Sequence, residues 1–311
     1  MSRVVVVGAG LAGLAAACHL AGDGHDVTVL EKGHEPGGRN GTIRGDGFTF
    51  DSGPTVLTMP HLIDRALGRV GRRLDDLVSL KRLDPAYRAV YHDGSELHVR
   101  GTVEATTAEI RSTIGDADAD AFGRFVSWLE KLYDIEMPHF IERNFDSPLD
   151  LLADPVAAAR LLRLGGFAKL GKAVGKRFAD DRLTRLFTFQ AMYAGLAPAD
   201  ALAIYAVITY MDSISGVYFP EGGMHAVPAA MARALTDAGV EIHYGTPADA
   251  LLRDRAGRVA GVQAGSEKLS ADAVVVTVDL PTAYRKLLPD LAPPRVFERG
   301  VALRESGGPA H

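Results

Sequence analysis

Val4-Val5-Val6-Val7-Gly8-Ala9-Gly10-Leu11-Ala12-Gly13-Leu14 stands near the start of the chain, and Asp26-Val27-Thr28-Val29-Leu30-Glu31 follows shortly after it. Four valines in a row, with no polar alternation, read as a strand buried on both faces. Residues 11–21 are rich in alanine and leucine and read as a helix, which Gly22 and Gly24 stop. Residues 26–31 form a second strand. The result is a βαβ unit, the element of a parallel sheet covered by helices. Between the first strand and the helix, Gly8, Gly10 and Gly13 have separate tasks. Gly8 permits a tight turn, Gly10 lets a pyrophosphate approach the backbone, and Gly13 lets the helix lie close to the strand. The helix start adds free N–H groups and a positive dipole end. Glu31 ends the second strand 21 residues after Gly10, where a carboxylate holds both ribose hydroxyls and disfavours a 2′-phosphate. The bland alternative is a structural glycine turn with a surface glutamate.

Which dinucleotide is bound is decided just downstream. Pro36-Gly37-Gly38-Arg39 follows Glu31, where an NAD enzyme more often proceeds into another helix. A second glycine pair suits a longer ligand extended past the first helix, as FAD is. Arg39 either meets a phosphate or the negative charge of a reduced flavin, or is a surface cation on a loop.

Working outward, the 311 residues suffice for two domains and a core, and 47% hydrophobic with 23% charged residues excludes disorder as the main state. A net charge of −5 removes the global basic signature of a nucleic-acid binder. One cysteine, Cys18, excludes a disulfide framework and a cysteine-rich metal site, and it fits a reducing compartment. His19, His61 and His225 lack metal spacing, so no metal is expected. The uncharged stretch 4–22 follows Arg3 as in a signal peptide, but its regularly spaced glycines and the apolar run after it argue against one. Other uncharged runs are too short to span a bilayer.

Gly-rich, turn-forming sequence covers residues 33–47, with a short strand at 48–50 and a helix at 60–70. From about residue 85 the pattern changes. Residues 87–91 and 96–99 read as a hairpin around Asp93-Gly94, and helical patterns follow at 108–114, 119–135, 149–164, 183–193 and 199–211. After Gly222-Gly223 the first pattern returns: a helix at 226–238, a strand at 241–244, a hairpin around Ala256-Gly257 and a buried strand at 273–277. The expected organisation is a nucleotide domain over 1–85, a mostly helical insertion over 86–215, a return over 216–290 and a tail over 291–311.

With these blocks in view, the chain resembles the bacterial-type phytoene desaturases, a family of carotenoid desaturases. The resemblance is carried by Gly8, Gly10, Gly13, Glu31 and Pro36-Gly37-Gly38-Arg39, then by Gly47-Phe48-Thr49-Phe50-Asp51-Ser52-Gly53-Pro54-Thr55-Val56. Phe219-Pro220-Glu221-Gly222-Gly223-Met224 and Asp279-Leu280-Pro281-Thr282-Ala283-Tyr284 are two further blocks. It implies an α/β fold: a Rossmann-like FAD-binding domain with a parallel sheet, of the GR2-type flavoproteins, split by a mostly helical substrate domain. It implies FAD held by Gly8, Gly10, Leu11, Ala12, Gly13, Glu31, Lys32, Gly37, Gly38, Arg39, Gly53, Pro54, Thr55 and Ala248. The implied reaction is desaturation of a polyene precursor such as phytoene by hydride transfer to the flavin, with quinone or oxygen as electron acceptor. The implied location is cytoplasmic, peripheral on the inner face of the cell membrane.

A polyene hydrocarbon offers no charge or hydrogen-bonding handle, so an apolar tunnel must fix it by shape. Phe187, Phe189, Met192, Tyr193, Ile204, Tyr205, Val207, Tyr210 and Met211 supply such a lining, or are ordinary helix core. Residues 155–179 hold six basic residues and no acid, interleaved with Leu161, Leu162, Leu164, Phe167 and others. That segment is either a membrane-surface element or a solvated cationic face. Asp150 resembles an aspartate of the family and is a catalytic candidate, although Ala153 stands where an arginine is expected; it also suits a helix cap. Glu221 beside Gly222-Gly223 is the second catalytic candidate, or a turn residue.

Two other expectations stand beside the desaturase: an amine oxidase-like or retinoid-acting FAD oxidoreductase, and a truncated, inactive desaturase remnant. Relatives in the resembled family continue into a final segment that contacts the flavin ribityl and pyrophosphate. Here residues 289–311 hold four prolines and no strand-like run, so the tail reads as foreign to the fold and FAD retention is expected to be weak or absent.

Overall fold

The computed structural model describes residues 1–144 and 154–289 and divides into two compact units, one of residues 1–80 with the chain from 219 onward, the other of residues 81–218. In the first unit, strand β1 (Arg3–Val7) leads into helix α1 (Leu11–Gly22) and strand β2 (Asp26–Leu30). A hairpin of β3 (Thr42–Gly45) and β4 (Phe48–Asp51) follows, then helix α2 (Pro60–Gly68). In the second unit, hairpin strands β5 (Tyr87–Val90) and β6 (Glu96–Val99) precede helices α3 (Val103–Thr113), α4 (Asp116–Glu136), α5 (Pro155–Arg163), α6 (Leu170–Gly175) and α7 (Asp181–Leu186). The chain then returns to the first unit through helix α8 (Ala226–Asp237) and strands β7 (Glu241–His243), β8 (Ala250–Arg253), β9 (Val259–Ala264), β10 (Glu267–Ser270) and β11 (Ala273–Val276).

The central sheet is parallel throughout, in the order β11-β1-β2-β7. Val7 is in register with Leu30 on one side and Val276 on the other. This interior place explains the unbroken valine run, because both faces of β1 are covered and Val4 to Val7 are all buried. Helix α1 buries Gly13, Leu14, Ala17 and Cys18. Burial drives the Cys18 thiol up to about 11, so it is a packing residue rather than a reactive one. Strand β11 is half-buried rather than buried, as its place at the edge of the sheet requires.

In the first unit, two strands depart from the sequence reading. Thr42–Gly45, read as turn sequence, pairs antiparallel with β4. Asp46 and Gly47 connect the strands, both at positive φ (51° and 82°), as a two-residue hairpin loop requires. The hairpin around Ala256-Gly257 gains a third strand, β10, paired with β9. Glu267, Lys268 and Ser270 are exposed on this polar edge strand, so no apolar alternation marked it.

The helical unit packs around Phe122, Phe125, Leu129, Leu132 and Phe187. Helix α4 supplies most of these from one stripe at i, i+3 and i+4 spacing. Thr102 caps α3 through the Ala105 N–H, and Asp154 caps α5 through the Ala157 N–H with Pro155 in the first turn. The helices expected at 183–193 and 199–211 are broken. Phe189–Ala194 is a 3₁₀ turn, and Ala206–Thr209 runs into a π turn at Tyr210–Ile214. In the second, the backbone of residues 201–204 pairs with residues 166–170 instead, the Ala203 and Ile204 N–H groups bonding the Ala168 and Gly166 carbonyls at 2.8 and 2.9 Å. In the first, a buried polar side chain takes up a backbone carbonyl. The Phe187 carbonyl accepts from Thr209 Oγ1, while the Ala191 N–H that an α-helix would bring to it bonds Thr188 instead. Of the proposed tunnel lining, Phe187 and Val207 are buried core, and Phe189, Tyr205 and Tyr210 pack against it; Met192 and Tyr193 are exposed. No helix among the described residues is long and apolar enough to cross a membrane.

Candidate functional site

The loop between β1 and α1 is built by its glycines and their neighbours. Gly8, at φ 106°, donates its N–H to the Leu30 carbonyl at 2.8 Å, fastening the loop to β2. Thr277, just after β11, donates its hydroxyl to the Val7 carbonyl at 2.9 Å. A Cβ at Gly13 would lie 1.9 Å from the Gly8 carbonyl oxygen, so only glycine lets the helix sit this close. Gly10 is different. Its φ of −71° is open to any residue, and a Cβ there would meet nothing of the protein nearer than the Gly37 carbonyl at 3.9 Å. Neither backbone nor packing asks for glycine at this point, and the space over it is free. It is the N-cap of α1, which has no side-chain cap and no acid in its first turn, so the N–H groups there face that space without a side-chain partner.

Glu31 is buried at the foot of this loop. One carboxylate oxygen accepts from the Ala9 N–H and the other from the Gly33 N–H, both at 2.7 Å. A carboxylate offers about four acceptor positions, so two remain for a vicinal diol. The chain that returns after β7 completes this end: Gly245 donates to the Gly33 carbonyl and Thr246 to the Glu31 carbonyl, each at 2.8 Å. Ala248, half-buried two residues on, packs against the cluster of Val5, Val7 and Leu30. Lys32, next to Glu31 in the chain, is exposed.

The second glycine loop lies against the first. Gly37 donates to the Ala9 carbonyl at 2.8 Å and forms a bridge with Gly10. A Cβ on Gly38 would come within 3.3 Å of Gly10 Cα. A Cβ on Gly53 would fall 1.9 Å from the Arg39 carbonyl oxygen, so the segment of Gly53, Pro54 and Thr55 starts in contact with this loop. Arg39 is exposed. Its charge helps to hold the Asp279 carboxyl below the usual range, after the larger effect of the Thr282 hydrogen bonds. Leu11 and Ala12 form the first turn of α1.

Three residues outside the expected site tie these loops together. Asp51 accepts from the Met224 and His225 N–H groups at 3.0 and 3.4 Å. His225 bonds the Pro36 carbonyl through Nε2 at 2.8 Å. Asn40, buried, donates from Nδ2 to the Met224 carbonyl at 3.2 Å, while its Oδ1 has no partner. Asp51 and Met224 stand in quoted sequence blocks, but a side chain that serves backbone N–H groups leaves no spacing signature. Of the catalytic candidates, Glu221 is an exposed turn residue whose N–H bonds the Ser79 carbonyl. Asp150 lies outside the described residues.

Among its described residues the helical unit buries three acids, of which Asp118 accepts from the Ala179 and Asp180 N–H groups at 2.9 and 3.2 Å. Burial pushes Asp212 up to about 7, against the pull of hydrogen bonds from Ser213 and Tyr87. Glu136 is pushed up to about 8 by burial, with Oε1 unpartnered. Among the described residues no group of three or more His, Cys, Asp or Glu is placed to hold a metal ion.

Comparison with known proteins bears on what the cradle holds. The model of the flavin-containing amine oxidoreductases matches residues 11–309. A phytoene dehydrogenase of Streptomyces griseus is 51% identical over 287 residues, covering 92% of this chain and 56% of the relative. A zeta-carotene-forming phytoene desaturase of Myxococcus xanthus is 38% identical over 290 residues, covering 92% and 55%. The chain thus spans a little over half the length of these curated relatives. Among solved structures, an oxidoreductase from Methanosarcina mazei aligns with TM-score 0.61 at 20% identity, covering 97% of this chain and 64% of that one. A redesigned putrescine oxidase aligns with TM-score 0.58 at 21% identity, covering 96% and 62%. At such identities the likeness shows the fold alone. A flavin-containing family together with a dinucleotide cradle gives FAD as the cofactor, and the open Gly10, the uncapped helix start and the fixed Glu31 carboxylate fit it. The chain belongs to the flavin-containing amine oxidoreductase family.

Proposed function

We propose that the chain is part of an FAD-dependent desaturase acting on a carotenoid precursor such as phytoene. The observation that carries this reading is the side-chain-free approach at Gly10 beside the fixed Glu31, in a chain 51% identical to a phytoene dehydrogenase. Glu31 presents its two remaining acceptor positions to the adenosine ribose, and Gly10, Leu11 and Ala12 present the α1 start to the pyrophosphate. Gly37, Gly38 and Arg39 extend the cradle past the phosphates, with Gly53, Pro54 and Thr55 beside them. When bound, FAD supplies the hydride acceptor for a carbon–carbon desaturation.

A hydrocarbon of this kind partitions into bilayers, and the surface of the helical unit suits that source. On and after α5, Val156 (59% exposed), Leu162 (66%) and Phe167 (51%) stand in water among the exposed cations Arg160, Arg163, Lys172 and Lys176, with no acid between residues 155 and 179. Exposed apolar residues ringed by cations match the interface of an anionic membrane. The reading places the protein peripherally on the inner face of the cell membrane, with quinone or oxygen receiving the electrons.

The test is expression in a phytoene-producing cell with pigment analysis. The expected product is a polyene with more conjugated double bonds than phytoene. Phytoene left unchanged beside well-expressed, flavin-loaded protein overturns the reading. For the membrane face, Leu162→Glu is expected to lower sedimentation with anionic vesicles, and unchanged sedimentation refutes that surface.

A further inference from the structure

Asn40 presents a buried acceptor that this chain does not satisfy. The residue is 4% exposed. Its Nδ2 donates to the Met224 carbonyl and its backbone N–H to the Gly37 carbonyl, yet Oδ1 has no donor. Exchanging the two amide atoms gives no relief, because it sets an oxygen against the Met224 carbonyl oxygen. The neighbouring N–H groups are already engaged: Gly37 with Ala9, Ser52 with Gly41, and Met224 and His225 with Asp51. A buried acceptor left unmade is a standing cost that leucine at this position would remove. Its location is specific as well. Positions for a Cβ at Gly37 and Gly53 fall 2.3 Å from the Asn40 carbonyl oxygen and 3.3 Å from its Cα, and the Gly37 loop bridges Gly10. The missing donor therefore belongs beside the nucleotide cradle.

We propose that Asn40 is a cofactor-binding residue whose Oδ1 accepts a hydrogen bond from the ribityl–flavin half of FAD. This rests on the FAD reading above. Within FAD the phosphates offer only acceptors, and the adenosine ribose hydroxyls are matched by Glu31. The adenine amino group is also a donor, but it lies beyond the ribose that Glu31 holds, away from the Gly37-Gly38 loop; the ribityl hydroxyls and the ring N–H are the donors on the Asn40 side still without an acceptor in the cradle. Asn40 also reaches the Met224 carbonyl through Nδ2, so it links the cofactor to the Gly222-Gly223-Met224 block.

The experiment compares FAD with ADP, which keeps the adenosine and pyrophosphate but lacks the ribityl–flavin half. The full chain and its Asn40→Leu and Asn40→Ser variants are titrated with each ligand by calorimetry, and the melting temperature of the ligand-free protein is recorded. The expected result is about a tenfold rise in Kd for FAD, the weight of one hydrogen bond, with Kd for ADP within about twofold of wild type. Serine is too short to place an oxygen at the same point, so it should reproduce the loss if leucine disturbs folding. Equal affinity of wild type and variants for FAD overturns the assignment. Equal weakening of ADP and FAD does so too, since Asn40 then only supports the loop. A wild-type chain that binds ADP but gains nothing from the flavin half overturns the Asn40 assignment and leaves the cradle standing. Binding of neither ligand overturns the FAD reading itself.

Discussion

Gly10→Ala separates a glycine kept for a ligand from one kept for the fold. At φ −71° alanine is unstrained, and its methyl would meet only the Gly37 carbonyl at 3.9 Å. Alanine is a poorer helix N-cap than glycine by about 0.5–1 kcal/mol, and it removes chain entropy from the unfolded state worth about 0.4–1 kcal/mol in the opposite direction. The net change is within about 1 kcal/mol, a shift of no more than about 4 °C in melting temperature for a domain of this size. Binding is another matter. The new methyl occupies the space over the first turn of α1 and holds the phosphates away from its N–H groups. Each charge-assisted bond lost is worth about 1.5–3 kcal/mol, so losing about 3 kcal/mol in all raises Kd for FAD about 100-fold. Quenching of FAD fluorescence on titration with ligand-free protein measures the second quantity, and thermal melting the first. Wild-type affinity in Gly10→Ala would refute the reasoning, because nothing would then lie over Gly10. A collapse in melting temperature would refute it differently, by showing that the fold needs this glycine.

The contrasting substitution is Gly13→Ala, whose methyl would lie 1.9 Å from the Gly8 carbonyl oxygen. It should destabilise the ligand-free protein by about 1–3 kcal/mol or more, and a melting curve like that of wild type would contradict the close packing of α1 on its loop. Glu31→Gln replaces a carboxylate that serves two N–H groups with a side chain bearing one acceptor oxygen, leaving Ala9 or Gly33 facing an amide. It should cost about 1.5–3 kcal/mol of stability and weaken ADP as much as FAD; a loss confined to FAD would place the ribose elsewhere. Asp212 titrates near 7 when folded, against about 3.9 for a free carboxyl, so the folded state keeps a proton that the unfolded chain releases between about pH 4 and 7. Stability is therefore greatest below that window and falls as pH rises through it, by on the order of 4 kcal/mol from this group. Glu136 acts in the same sense up to about pH 8. Melting followed from pH 5 to 8 should show a shallower decline in Asp212→Asn than in wild type, and identical slopes would remove Asp212 as the source.

The nucleotide half of the fold was legible because its physics is local. A strand covered on both faces must be apolar along its whole length, and Val4 to Val7 are. A tight turn from strand to closely packed helix leaves glycines at fixed offsets, and Gly8, Gly10 and Gly13 stand at those offsets. The strands missed, Thr42–Gly45 and β10, sit in local hairpins but carry no apolar alternation. Strand β10 is polar because it is an edge, so periodicity had nothing to register. The helices expected at 183–193 and 199–211 have adequate helical patterns, but Thr209 bonds the Phe187 carbonyl and Gln190 in the first, and residues 201–204 of the second bond the backbone of residues 166–170. Within the site, Glu31 and the glycines have spacing signatures. Asp51, His225 and Asn40 act on backbone groups up to 189 residues away, and no local pattern encodes such a partner.

The central claim is that residues 8–13, Glu31 and the Gly37-Gly38 loop form a cradle for FAD. Calorimetric titration of the purified chain with FAD, repeated with ADP as competitor, tests it most directly. Against the weak or absent FAD retention expected from the tail, whose residues 290–311 lie outside the described residues, the account predicts saturable binding of one FAD per chain that ADP displaces. A flat titration with correctly folded protein, or FAD binding that ADP does not touch, would contradict it.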